Sequence, residues 1–120
     1  MSQFGNLLRR ERKEQNLTLG DLAKKVGLSV PYLSQIETGT KPLQDKLVDR
    51  FVIELALSGD DANALRRAAA VSMSEYSIRM REGASNDDRI LASMLAAGFA
   101  RLSPAKKDKL REIMKDETRG

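Results

Sequence analysis

The sequence predicts an all-α protein, and three observations carry that prediction. Apolar residues recur at helical spacing along most of the chain. Aromatic residues make up only 4% of it, and β-branched runs are scarce, which favours helices over strands. Helix punctuation is present where it is needed: Thr18 and Ser29 stand ahead of apolar-periodic stretches, and Gly27 stands where one must end.

A chain of 120 residues suffices for one core, or for a small domain with an appendage, and excludes two large domains. With 41% hydrophobic and 32% charged residues the composition is that of an ordinary soluble protein. The net charge of +4 suits a nucleic-acid partner, while 17 interspersed acidic residues exclude a polybasic tail. Cysteine and histidine are both missing from the sequence, which removes disulfides, thiol chemistry and nearly all zinc sites. The usual nucleophile and base pairs are excluded with them, so neither an enzyme nor a cofactor is expected. The opening Met-Ser-Gln-Phe-Gly lacks the pattern of a signal peptide, and no apolar run approaches the roughly 20 residues that span a bilayer. The expected location is the cytoplasm, away from membranes.

Taken in order, residues 3–15 form a first helix with Phe4 and Leu8 inward and Arg9, Arg10 and Lys13 outward, broken by Asn16. Residues 17–39 read as two short helices joined by a tight turn. Thr18 caps the first, with Asp21 three residues on completing a capping box, and Leu22, Ala23 and Val26 make its inward stripe. After Gly27, Ser29 caps the next helix and Pro31 occupies its first turn, where a missing amide costs nothing. At roughly 100° per residue, Leu33 and Ile36 share one side. Val30, Pro31, Ser34, Gln35 and Thr38 share an opposite arc of about 140°.

Gln44 to Leu57 follows as a fourth helix with Leu47, Phe51 and Leu55 at core spacing. A fifth starts at Ser58-Gly59-Asp60-Asp61 and offers Leu65, Ala68, Ala69 and Val71 as its apolar face, ending the first domain near Ser72. In residues 73–85, Tyr76, Ile78 and Met80 alternate with Ser77 and Arg79. That period of two suggests one short strand paired with the same segment of a second copy, or else an irregular linker. Asn86-Asp87-Asp88 caps a sixth helix with Ile90, Leu91, Met94, Leu95, Phe99 and Leu102 in a broad stripe, backed by Ala92, Ala96, Ala97, Gly98 and Ala100. Ser103-Pro104 opens a seventh with Leu110, Ile113 and Met114 inward. The basic residues between Arg101 and Lys115 alternate with Asp108, Glu112 and Asp116, which reads as a solvated, ion-paired face. Two helices of this length cannot bury such stripes against each other alone.

The run Tyr32-Leu33-Ser34-Gln35-Ile36-Glu37-Thr38-Gly39, with Leu17-Thr18, Asp21-Leu22-Ala23 and Val26-Gly27 ahead of it, resembles the signature of the Cro/cI-type (Xre-like) helix-turn-helix family of phage and bacterial repressors. The resemblance covers Phe4 to Leu57. It implies a five-helix lambda-repressor-like DNA-binding domain over 1–72; the alternation and the unburied stripes beyond it add a linker or short strand at 73–85 and a small helical dimerisation region at 86–120. It also implies an ion pair between Arg12 and Glu37 that staples the first helix to the third, and a loop, Thr38 to Pro42, whose Thr38, Thr40 and Lys41 follow the DNA backbone. One departure is Leu19, where the family commonly carries a phosphate-contacting glutamine.

The implied function is sequence-specific binding of double-stranded DNA by a transcriptional regulator, a repressor acting as a homodimer. The third helix would enter the major groove. There Gln35 suits adenine, Ser34 either base type, and Val30 and Pro31 a thymine methyl, with Tyr32 at the edge and Thr18 and Ser29 in the DNA-facing set. So few base-reading groups call for two copies on a pseudo-palindrome. Tyr76, Ile78, Met80, Leu91, Leu95 and Phe99 are the expected dimerisation residues. The alternatives are an antitoxin that also binds a toxin protein, and a protein- or RNA-interaction module on the same fold.

Overall fold

The first helix, α1, covers Gln3–Glu14, and it begins where the Ser2 hydroxyl accepts the N–H of Gly5 at 3.0 Å. The computed structural model describes residues 2–118. Helices α2 (Leu19–Val26), α3 (Val30–Thr38), α4 (Asp45–Glu54) and α5 (Gly59–Ser72) follow and form one compact unit that runs through Ser77. A second unit starts at Ile78 and holds α6 (Asn86–Gly98), a short 3-10 turn (Phe99–Arg101) and α7 (Pro104–Thr118). The all-α expectation holds.

In the first unit, α1 packs on α3 and α5, α2 on α3 and α4, and α4 on α5. Leu8, Leu22, Leu33 and Phe51 are completely shielded from solvent. Each such side chain contributes about 1.5 to 3 kcal/mol by leaving water. The rings of Phe4 and Phe51 meet at 6.0 Å with a tilt of 51°, within the range where aromatic quadrupoles attract. Two polar ties hold the outer turns. Arg12 donates from Nε to Glu37 at 3.1 Å and from Nη1 to the Leu17 carbonyl at 2.9 Å, while Gln15 donates to the Leu55 carbonyl at 2.7 Å.

Four helix ends share one geometry. The N–H that follows the closing residue reaches back five residues, from Leu17 to Arg12, Leu28 to Ala23, Thr40 to Gln35 and Leu57 to Val52, each at 2.9 to 3.0 Å. This closure needs a residue in the left-handed region. Gly27 and Gly39 supply it cheaply, but Asn16 (φ 57°) and Ala56 (φ 52°) do so against their side chains. The left-handed Ala56 ends α4 at Glu54, three residues short of the expected Leu57.

Two further expectations are corrected, and of the two readings of residues 73–85 the strand drops out. Val71, counted into the apolar face predicted for α5, is 82% exposed, because at about 100° per residue it falls outside the arc shared by the buried Ala62, Leu65, Ala68 and Ala69. The sixth helix is capped by Ser85, whose hydroxyl accepts the Asp88 N–H at 3.0 Å, so Asn86 and Asp87 already lie inside the first turn. Between Met73 and Ala84 no strand forms among the described residues. The alternation there has no ladder to join: the Tyr76 hydroxyl turns back onto the terminal carbonyls of α5 at Ala70 and Met73, and the Ser77 N–H is held by Asp45.

The second unit is held by local bonds. Ser103 accepts the Lys106 N–H at 3.2 Å, Arg111 reaches Asp108 at 2.6 Å, and the Lys107 ammonium stands 5.1 Å from the Phe99 ring centre. None of its described residues is buried, and Ile90, Leu91, Met94, Phe99, Ile113 and Met114 are each at least half exposed.

Candidate nucleic-acid interface

The α2–α3 pair is built by its caps. Thr18 accepts the Asp21 N–H at 3.0 Å, and the Asp21 carboxylate accepts the Thr18 N–H at 2.9 Å, closing both ends of the capping box. That backbone N–H, then the Thr18 hydroxyl and the nearby Lys25 and Lys24, hold the Asp21 carboxyl below its ordinary 3.8. Gly27 turns the chain and Ser29 accepts the Tyr32 N–H at 3.2 Å, so α3 begins four residues after α2 ends. Ala23, 2% exposed, lets the two helices cross closely.

On α3 the inner side carries Leu33 and Ile36, both essentially buried. The outer side carries Val30, Pro31, Gln35 and Thr38 in solvent, with Ser34 and Tyr32 half-buried at its borders. Tyr32 packs partly against the core, which limits its reach. Among the described residues the Gln35 side chain has no hydrogen-bond partner, so its amide is available as a paired donor and acceptor.

Charge is arranged with equal economy. Glu37 is the only ionisable acid or base of α3 apart from the Tyr32 phenol, and its carboxylate is 7% exposed beneath Arg12. The outer face of α3 therefore presents no negative charge to a polyanion. Cations flank that helix in sequence: Lys24 and Lys25 in the last turn of α2, and exposed Lys41 in the following loop. At the start of α2, the N–H groups of Leu19 and Gly20 precede the first intrahelical bond, made by Leu22 to Thr18. The Leu19 side chain itself packs partly on the core and offers nothing to a phosphate.

The loop after α3 is less rich in donors than its sequence suggests. The Gly39 and Thr40 N–H groups are consumed by the Ile36 and Gln35 carbonyls, and the hydroxyls of Thr38 and Thr40 lean on the same Gln35 carbonyl at 3.2 and 3.3 Å. Lys41 is left as the loop's long-range cation. No sequence signal marked this; it follows from how α3 ends.

Sequence reasoning also missed Gly5. Its Cα approaches α3 so closely that a Cβ would overlap the Glu37 carbonyl. The expected pairing residues divide between units: Tyr76 belongs to the first, whereas Ile78, Met80, Leu91 and Leu95 line one open cleft in the second, with Phe99 half exposed in the 3-10 turn.

No helix among the described residues is long and apolar enough to cross a membrane. A family model described as a helix-turn-helix domain matches residues 3–65, from the start of α1 into α5. No curated protein and no solved structure matches the chain. The match spans more than half of the sequence and takes in the capped α2–α3 pair, the Arg12–Glu37 tie and the helices that bury them, so this chain belongs to the Cro/cI-like (Xre-type) helix-turn-helix family.

Proposed function

We propose that the chain is a sequence-specific transcriptional repressor that binds a pseudo-palindromic operator as a homodimer. A helix-turn-helix domain implies DNA binding. The observation that carries the finer reading is the two-sided character of α3, with Gln35 exposed and unpartnered while Ile36 is 2% exposed. Placed in the major groove, Gln35 reads adenine with a bidentate bond worth roughly 1 to 3 kcal/mol. Val30 and Pro31 meet a thymine methyl, and Ser34 serves either base. Thr18, Ser29, Thr38, Thr40 and Lys41 border the same face, with Lys41 supplying the charge for a phosphate.

So small a reading set calls for two copies. The exposed Ile78, Leu91 and Phe99 of the second unit, with Leu95 half-buried beside them, support a second copy as the cover. Asp87 and Asp88 start α6 and Lys106 and Lys107 start α7, which gives a two-fold pair complementary charges. A toxin protein on that stripe is the antitoxin alternative, and co-purification tests it.

Selection of bound duplexes from a random pool tests the whole reading. The expected result is an inverted repeat with half-site centres about 34 Å apart or a multiple of that. Enrichment of one asymmetric half-site at full affinity, or of nothing, overturns it.

A further inference from the structure

The chain between α5 and the second unit does not hang loose. The Ser77 N–H donates to Asp45 Oδ2 at 2.7 Å, a charge-assisted bond that crosses from beyond the end of α5 to the first turn of α4. One residue earlier, the Tyr76 hydroxyl sits on the α5 carbonyls of Ala70 and Met73. Residues 72–75 and 77 line a cleft whose opposite wall is Pro42 to Lys46, the stretch that links the Lys41 loop to α4. The next residue, Ile78, already lines the cleft of the second unit with Leu91 and Leu95. The chain of the first unit is thus tied down as far as Ser77.

We propose that this strap, fastened by Asp45 and Tyr76, is a specificity-determining device that fixes the distance between operator half-sites; the inference rests on the two-copy reading above. With the strap fastened, chain outside the first unit starts at Ile78. Unfastened, it starts at Ser74, four residues earlier, because Met73 still packs on the core. At about 3.4 Å per extended residue those four residues add at most about 14 Å of reach. Two copies together gain at most about 27 Å, most of one turn of duplex. A fastened strap therefore rejects operators whose half-sites lie too far apart, and a released one tolerates a longer spacing.

The test uses the full chain and operators carrying the selected half-sites at their native spacing and lengthened by about 5 and about 10 base pairs, with a lone half-site as control. The variants are Asp45→Ala combined with Tyr76→Phe, and independently Ser77→Pro, which deletes the donor and leaves Asp45 intact. Wild type is expected to lose about tenfold or more in affinity at the spacing one turn longer, about 1.4 kcal/mol. Both variants should recover part of that loss while matching wild type on the lone half-site. A spacing profile identical to wild type in both variants overturns the strap proposal alone, as does equal weakening on every duplex including the lone half-site. Wild type that binds without any dependence on spacing removes the two-copy reading and the strap with it.

Discussion

A methyl group placed on Gly5 would stand 1.8 Å from the backbone carbonyl oxygen of Glu37, so α1 and α3 touch main chain to main chain at that point. The obstacle is backbone on both sides and cannot swing away. Gly5→Ala is expected to cost about 3 kcal/mol or more, beyond the usual range for overpacking, measured by urea unfolding. Gly20→Ala is the control: a Cβ there meets nothing nearer than the Thr18 hydroxyl at 3.8 Å, and the change should stabilise by up to about 0.5 to 1 kcal/mol.

The same turn of α3 carries the Glu37 carboxylate against Arg12, with side-chain exposures of 7% and 10%. Removing one partner strands the other charge. Glu37→Ala should cost about 3 to 5 kcal/mol, whereas Arg12→Met combined with Glu37→Leu should recover most of that loss in a double-mutant cycle.

Ala56 closes α4 at φ 52° and is exposed, so its Cβ strains the backbone and packs on little. Ala56→Gly is expected to stabilise the first unit by about 1 kcal/mol, read as a higher midpoint at unchanged slope. Gly27→Ala, at φ 74°, should do the opposite by about the same amount.

The Asp21 carboxyl is held below its ordinary 3.8 by the Thr18 N–H, so folding favours its ionised form. Its share of stability is complete above that ordinary value and is lost as pH falls through the lower, folded one. Thermal melts of wild type and Asp21→Asn should therefore differ at neutral pH and converge in strong acid. A difference that stays constant down to the most acid melt would count against the assignment.

Two side chains of the proposed DNA-facing surface should fail differently. Gln35→Ala is expected to relax preference at one base position by about 1 to 3 kcal/mol. Lys41→Ala should weaken all sequences alike and reduce the salt slope by about 1, as one phosphate contact is lost. Binding isotherms at several salt concentrations on specific and scrambled duplexes separate the two.

How much of this was legible in the sequence follows the range of each interaction. Thr18, Ser29 and Gly27 act within a few residues of themselves, and their roles could be read directly. Leu22, Leu33, Ile36 and Phe51 followed from helical period alone. Gly5 gave no signal, because its reason lies on another helix. Asn16 was legible as a breaker, whereas Ala56 was not, since alanine advertises continuation while its flanking Leu55 and Leu57 both pack on the core. The alternation through Tyr76, Ile78 and Met80 suggested a strand, but period two says nothing about a partner, and side-chain and carboxylate bonds captured the segment first. At the interface, the outward side of α3 was legible from its angular spacing. The spent donors of Gly39 and Thr40 were not, because they depend on how the helix terminates.

The absence of any buried residue among the described part of the second unit bears on how long a solitary chain survives. A segment held by caps and surface ion pairs opens with a free energy near zero, and cleavage by a protease tracks the population of the open form. Under the proposed two-copy reading, newly made chains would be trimmed from that end until enough of them accumulate to shield one another, so abundance itself would set the protein's lifetime.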